Sequence, residues 1–270
     1  MPTYPFVTRD VFTDRRFGGN PLAVFPDAAG LSDAAMQALA AEFNLSETTF
    51  VLPPEDPAHT ARVRIFTPRW ELPFAGHPNV GTGVVLAQQG RDRGGVLRFE
   101  EIAGLVDIRV DRDAAGTATG ATIAAPLPLS LGPTLPAATV AACAGIAKDD
   151  VIETGHAPIL ASVGMPFVIA AVRPAALTRA TPDPVGFRQA ISNRPALDGR
   201  LSLHLYARDG AHLRARMFSP LAGIAEDPAT GSANAALAAL LLSLGEEASV
   251  TYDIFQGVEM GRPSLLRATA

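Results

Sequence analysis

Three side chains stand where their type and surroundings suit proton transfer. Glu47 lies in Asn44-Leu-Ser-Glu-Thr-Thr-Phe50, between a helix-like segment and the apolar Phe50-Val-Leu52. A carboxyl group set among small hydroxyl residues beside apolar ones is pushed toward a higher pKa, which proton transfer near neutral pH requires. The commoner role for such a residue is a turn carboxylate or helix-cap partner. His77 precedes Pro78 at a helix start and reads either as an acid/base or ligand-orienting group or as a cap. Asp227, flanked by Glu226 and Pro228, reads either as an active-site acid or as a solvated charge that the helix dipole favours.

His77 and Asp227 belong to an internal repeat. Arg62-Val-Arg-Ile-Phe-Thr-Pro68 is echoed by Arg214-Ala-Arg-Met-Phe-Ser-Pro220, each an alternating run that suits a strand ending at proline. Each is followed by a loop and a helix start: Glu71 to Asn79 before the small, apolar Val80 to Ala87, and Glu226 to Asn234 before Ala235 to Leu242. Overlaid, Glu71 matches Glu226, Pro73 matches Pro228, Gly76 matches Gly231, His77 matches Ser232 and Asn79 matches Asn234. Matched strand, loop and helix signals in the same order indicate a duplication.

Gly76 and Gly231 open helices whose first N–H groups have no intrahelical partner and carry the positive end of the dipole, a setting for a carboxylate or a developing enolate-like charge. Gly81-Thr-Gly83 lacks P-loop spacing, and no Gly-x-Gly-x-x-Gly follows a strand, so nucleotide binding has little support.

The elements that must position these groups are legible in outline. Leu31 to Phe43 reads as a helix with Ser32 as N-cap. Val96 to Phe99, Leu105 to Val110 and Leu201 to Tyr206 read as strands, Asp111 to Gly116 as a turn, Pro182 to Gly186 as a surface loop, and Ala235 to Leu244 as a buried helix. The proline-dense Leu127 to Pro136 marks the junction of two halves, 1–126 and 127–270, with the C-terminal segment able to return to the first.

The chain has 270 residues, 48% of them hydrophobic and 18% charged, enough to bury substantial cores. A net charge of -5 with no Lys/Arg-rich run argues against nucleic-acid and anionic-membrane partners. The opening Met1-Pro-Thr-Tyr-Pro5 lacks signal-peptide character, and the longest apolar run falls short of a membrane span. Cys143 is the only cysteine, which excludes an internal disulfide, fits a reducing cytosol and reads as an inert buried thiol in a small-residue helix. His59, His156, His204 and His212 form no ligand spacing with carboxylates, so no metal is expected.

Five segments together resemble the PhzF-like family of proteins related to a phenazine-biosynthesis isomerase: Asp10 to Val24, Asn44 to Phe50, Thr67 to Thr82 with Gly76-His-Pro78, Glu226 to Ala233, and Gln256 to Ser264. The resemblance implies an α+β, diaminopimelate-epimerase-like fold: two pseudo-symmetric halves, each with β-structure wrapped around a central helix and the active site between them. It implies that Glu47 moves a proton, that His77 and Asp227 assist, and that Gly76, Gly231 and Ser232 receive the substrate's acidic group. In the family's named reaction, trans-2,3-dihydro-3-hydroxyanthranilate loses a proton from one ring carbon and regains one at another. No metal, flavin or pyridoxal phosphate is needed, and a cytoplasmic homodimer is implied.

Racemases of the broader superfamily carry paired cysteines at the two helix starts, where this chain has His77 and Ser232, so a two-thiol mechanism is excluded. Phe255 stands where an acidic residue commonly precedes Gln-Gly, and Asn79 where Thr is common. The expectation is a cofactor-independent isomerase acting on a small cyclic carboxylic acid. The alternatives are an epimerase or racemase of another small acid, and a non-catalytic ligand-binding protein on the same fold.

Overall fold

The computed structural model describes residues 2–192, 194, 197 and 199–270; Met1 of the opening stretch lies outside the described residues. The chain forms two compact units, Met1–Ala124 and Ala125–Ala270.

The first unit runs β1 (Val7–Val11), β2 (Asn20–Phe25), α1 (Asp33–Phe43), β3 (Glu47–Leu52), β4 (Ala61–Phe66), β5 (Glu71–Leu72), α2 (Gly76–Gln88), β6 (Val96–Glu101), β7 (Gly104–Arg112) and β8 (Ala118–Ile123). Its sheet has the order β1-β2-β3-β4-β6-β7-β8, with β5 paired to β4. The pairs β2–β3 and β4–β6 are parallel, because α1 and α2 are the crossovers between them. Alternation sets the faces: in β4, Ala61, Val63 and Ile65 point to the core while Arg62 and Arg64 are only half-buried. The sheet curls about α2, which packs against strands from both of its edges, β1 and β8.

The second unit repeats this plan. After β9 (Ser130–Thr134), α3 (Ala137–Ala144), β10 (Val151–Ile152), β11 (Ile159–Ser162) and β12 (Pro166–Val172) come α4 (Pro174–Arg179) and α5 (Pro184–Ser192). The chain continues through β13 (Leu203–Asp209), β14 (His212–Ser219), β15 (Ile224–Asp227), α6 (Gly231–Ser243), β16 (Thr251–Gln256) and β17 (Ser264–Thr269). Its sheet order is β17-β16-β14-β13-β12-β11-β9, again with parallel pairs, β12–β13 and β14–β16, at the two helical crossovers. Details repeat too. Arg64 holds Glu71 through two hydrogen bonds of 2.6 Å and lies over the Phe66 ring. Arg216 holds Glu226 through bonds of 2.8 and 2.7 Å and lies over Phe218. The duplication is therefore structural, and the arrangement is the expected α+β one with a helix at the centre of each sheet.

α2 and α6 have almost no solvent face, which explains their composition. Gly76 to Gly83 are all buried. A Cβ built on Gly81 would sit 2.6 Å from Leu22 and 2.8 Å from Val11, and one on Gly83 would sit 2.8 Å from Ile108. Small residues let the sheet close on the helix.

The helix expected after Leu31 is α1, with the Ser32 hydroxyl accepting the Ala35 N–H at 3.2 Å and Asn44 ending it in the left-handed region. The strands expected near Val96, Leu105 and Leu201 are β6, β7 and β13, and the buried helix from Ala235 is part of α6. Cys143 is buried in α3 and its thiol is pushed up to about 12, chiefly by burial.

The proline-dense Leu127 to Pro136, expected at the junction of the halves, contains β9, which includes Pro133: the strand is exposed and at the sheet edge, where proline is tolerated. Two expectations need correction. Pro182 to Gly186 is not wholly a loop, since α5 begins at Pro184, using proline's fixed φ in its first turn, and Gly186 is buried against the Ala142 backbone. The turn expected at Asp111 starts later, because β7 runs to Arg112.

Gly81→Val is expected to destabilise the protein by roughly 1–3 kcal/mol, since the added methyl groups have no space between Leu22 and Val11. Urea unfolding monitored by circular dichroism checks this; a midpoint equal to that of the parent would contradict the packing argument.

Candidate active site

In the first unit, Asn44 turns the chain out of α1 with a φ of 51°, and β3 begins three residues later at Glu47. Parallel pairing sets Glu47 opposite Leu22, two residues past Asn20 at the start of β2. The following Thr48 and Thr49 are fully buried, with Thr49 and Thr82 hydroxyls 2.8 Å apart. Glu47 therefore stands at a strand entrance, anchored by buried neighbours.

His77 comes to the same place from α2. Its Nδ1 lies 3.4 Å from Glu47 Oε2 and 3.4 Å from the Asn20 amide nitrogen. Both acidic and imidazole side chains are largely enclosed, 13% and 5% exposed. Burial pushes the His77 pKa down to about 3, with the nearby Pro21 carbonyl offsetting part of the effect. At neutral pH the ring is uncharged, with one nitrogen able to donate and the other to accept. A carboxyl beside a neutral imidazole and an amide can take up a proton, hold it and release it. Asn20, which supports this pair, was not singled out from the sequence; its only signal is its place in Gly19-Asn-Pro21.

α2 starts at Gly76 with no side-chain cap on its first turn. Its first N–H groups belong to Gly76 and His77, and Pro78 contributes none.

In the second unit the corresponding loop is bound more tightly. Asp227, 6% exposed, accepts the Thr230 hydroxyl at 2.5 Å. Gln256, at the end of β16, donates to the Asp227 carbonyl at 2.8 Å and to Thr230 Oγ1 at 3.0 Å, and accepts from the Thr230 N–H at 3.2 Å and the Asn234 amide at 2.8 Å. Asn234 is also bonded to His204 at 3.1 Å. His204 is fully buried and its pKa falls to about 4 through burial, so it too is neutral. Gly257 has φ of +71°, and a Cβ there would lie 2.6 Å from the Pro228 carbonyl, which explains the Gln-Gly pair. Thr230 spends its hydroxyl on Asp227, leaving the α6 start, Gly231 and Ser232, without a side-chain cap. His204 and Gln256 were not predicted as members of this network.

Of the predicted residues, Glu47, His77 and Gly76 thus lie together in the first unit. Asp227, Gly231 and Ser232 lie together in the second. Among the described residues no group of three His, Cys, Asp or Glu side chains is disposed to hold a metal ion. No helix among the described residues is long and apolar enough to cross a membrane.

The family model described as "Phenazine biosynthesis-like protein" matches residues 9–270. An uncharacterised isomerase of Mesorhizobium japonicum is 39% identical over 276 residues, covering 99% of this chain and 90% of the relative. A protein of Pseudomonas aeruginosa named trans-2,3-dihydro-3-hydroxyanthranilate isomerase is 38% identical over 271 residues, covering 98% of this chain and 90% of the relative. The crystal structure of a PhzF-family phenazine biosynthesis protein from Bacillus anthracis superposes with a TM-score of 0.87 at 25% identity, over 99% of this chain and 90% of that one.

The buried imidazole has a consequence for stability. His77 binds its proton near pH 3 when folded and near the ordinary 6.5 when unfolded, so stability falls as pH drops from 6.5 toward 3. His77→Asn is expected to flatten the dependence of the urea midpoint on pH within that window. Identical slopes for parent and variant would contradict a neutral, buried His77.

Proposed function

We propose a function for this chain on the premise that it belongs to the phenazine biosynthesis-like (PhzF) family: it is an isomerase that moves a proton between two carbons of a small cyclic carboxylic acid. The observation that carries the reading is the Glu47–His77 pair, a carboxyl 3.4 Å from a neutral, buried imidazole at the uncapped start of α2. Relatives 38% identical over almost the whole chain are named trans-2,3-dihydro-3-hydroxyanthranilate isomerase, which makes an acid of that class the first substrate to test.

In the proposed reaction the Glu47 carboxylate takes a proton from one ring carbon as electrons move toward the substrate's conjugated system. The resulting carboxylic acid returns a proton to another ring carbon on the same face. The substrate loses and gains one proton, so no oxidant or reductant enters. His77, neutral, stands beside the carboxyl with Nδ1 3.4 Å from Glu47 Oε2, an acceptor for the proton of the carboxylic acid form. On the family resemblance, Gly76, Gly231 and Ser232 are assigned to the acidic group of the substrate, in keeping with the preference of helix starts for negative charge. Asp227, held by Thr230, is assigned an assisting role on the family resemblance. The same resemblance supports a homodimer, and the lone buried Cys143 is in keeping with a cytoplasmic setting.

Proton NMR in heavy water tests this with trans-2,3-dihydro-3-hydroxyanthranilate and a small panel of other cyclic and hydroxylated acids. The parent is expected to isomerise or exchange a ring hydrogen of one of these acids, and Glu47→Gln to lose about 10²–10⁴-fold in rate. A Glu47→Gln variant as fast as the parent would remove Glu47 from the mechanism. Exchange at a single stereocentre without a shift of the double bond would replace isomerase by epimerase.

A further inference from the structure

The repeat extends beyond the loops into a pair of side chains that the proposed mechanism does not use. In the second unit, Asn234 in the first turn of α6 bonds Gln256, the last residue of the strand that follows the helix, across 22 positions. In the first unit the residue 22 positions after Asn79 is Glu101, the last residue of β6, the strand that follows α2. β6 pairs in parallel with β4, as β16 pairs with β14, so the two residues occupy equivalent places in the fold. In β6 the inward positions are Leu97 and Phe99, and the next inward position is Glu101. One unit thus carries a neutral carboxamide, and the other a carboxyl group, turned toward a buried helix start.

The surroundings of Glu101 are unusual for a charged residue. Both carboxyl oxygens are buried and make no hydrogen bond, and both amide atoms of the fully buried Asn79 are likewise unsatisfied. The Asn79 amide is the polar neighbour that bears on the Glu101 carboxyl, close enough to favour its ionised form without meeting hydrogen-bond geometry. Among the described residues no cation pairs with the carboxyl. On β4, Arg62 pairs with Glu55 and Arg64 with Glu71 and Asp33. On β6 and β7, Arg98 pairs with Asp107 and Arg112 with Asp92, while Arg109 is exposed and stands opposite Val96 at the far end of β6. The adjacent Glu100 faces the other way, bonded to His59 and to the amides of Glu55 and Asp56.

A carboxylate only accepts hydrogen bonds, so as an anion Glu101 would leave the Asn79 carbonyl oxygen orphaned and a charge buried without a partner. A protonated carboxyl both donates and accepts, as Gln256 does. We propose that Glu101 is a positioning residue held as a neutral acid, its O–H donating to the Asn79 carbonyl and its C=O accepting the Asn79 N–H, a reciprocal pair that fixes the first turn of α2. Burial, the dominant influence on Glu101, acts in the same sense and raises its pKa to about 8. The pair stands two residues from His77 and three from Gly76. Its catalytic consequence rests on the function proposed above; its protonation state does not.

Three readouts test the pair on the intact protein. The infrared difference between parent and Glu101→Gln is expected to show the carbonyl band of a protonated carboxyl at pH 6.5, disappearing above about pH 9. The folded-state pKa lies above the unfolded value of 4.5, so the stabilising proton is fully held below 4.5 and lost as pH rises through 8. The melting temperature of Glu101→Gln, measured against the parent, is therefore expected to gain several degrees between pH 5 and 8 and to level off above. In the NMR assay, Glu101→Gln is expected to keep kcat/KM within about twofold at pH 7 and to lack the fall the parent shows above about pH 8. Glu101→Leu, which cannot answer Asn79, is expected to lose about tenfold or more.

Absence of the protonated band, or a melting difference that does not change between pH 5 and 8, overturns the neutral pair. A band and a melting difference as expected, with parent and Glu101→Gln sharing one alkaline limb, overturns the positioning role. Should no acid be turned over by the parent, the isomerase reading fails while the infrared and melting measurements still decide the pair.

Discussion

A helix enclosed by its own sheet has two requirements, and most of the structure follows from them. Its surface must be small enough for the strands to close on it, and every polar group near its start must be answered without water. α2 and α6 meet the first with glycine, alanine and a few branched residues. The second is harder, since an unsatisfied buried donor or acceptor costs about 1–3 kcal/mol. The N–H groups of an uncapped helix start cannot be silenced by packing. They stay available to an anion, and the residues beside them experience a low-dielectric environment.

That environment gives the candidate site its chemical character. His77 is neutral because water is excluded from it, and it sets an uncharged imidazole beside the Glu47 carboxyl. The buried threonines of β3, the left-handed turn at Asn44 and the Asn20 amide keep the carboxyl at the strand entrance. In the second unit the polar residues are bonded to one another, Gln256 alone making four contacts that tie the Asp227 loop to the helix start. The two units thus use one topology with different local chemistry: a carboxyl–imidazole pair in the first and an amide network in the second.

Much of this was legible in the sequence because duplication writes the same signals twice. The Arg-x-Arg strands, the Glu-x-Pro loops and the Gly helix starts align by eye, and the Ser32 cap and the alternating strands follow local rules. Other features were hidden for identifiable reasons. β5 and β15 are too short to show a period, and β9 is masked by its own proline. Gly186 looked like a loop residue because only the crossing of α3 and α5 reveals why it must lack a side chain. The roles of Asn20, His204, Gln256 and Glu101 depend on contacts across 22 to 57 positions, and no local pattern announces them. The equal spacing of Asn79 to Glu101 and Asn234 to Gln256 could have been found, but only by extending the repeat past the helices.

A crystal structure with an unreactive aromatic analogue of the cyclic acid puts the proposed role of Glu47 in handling the substrate's proton to the test. The Glu47 carboxyl is expected over the ring edge, about 3–3.5 Å from a ring carbon, with the analogue's acidic group accepting the N–H of Gly76. An analogue bound with Glu47 turned away, and a different acid or base facing that carbon, would contradict it.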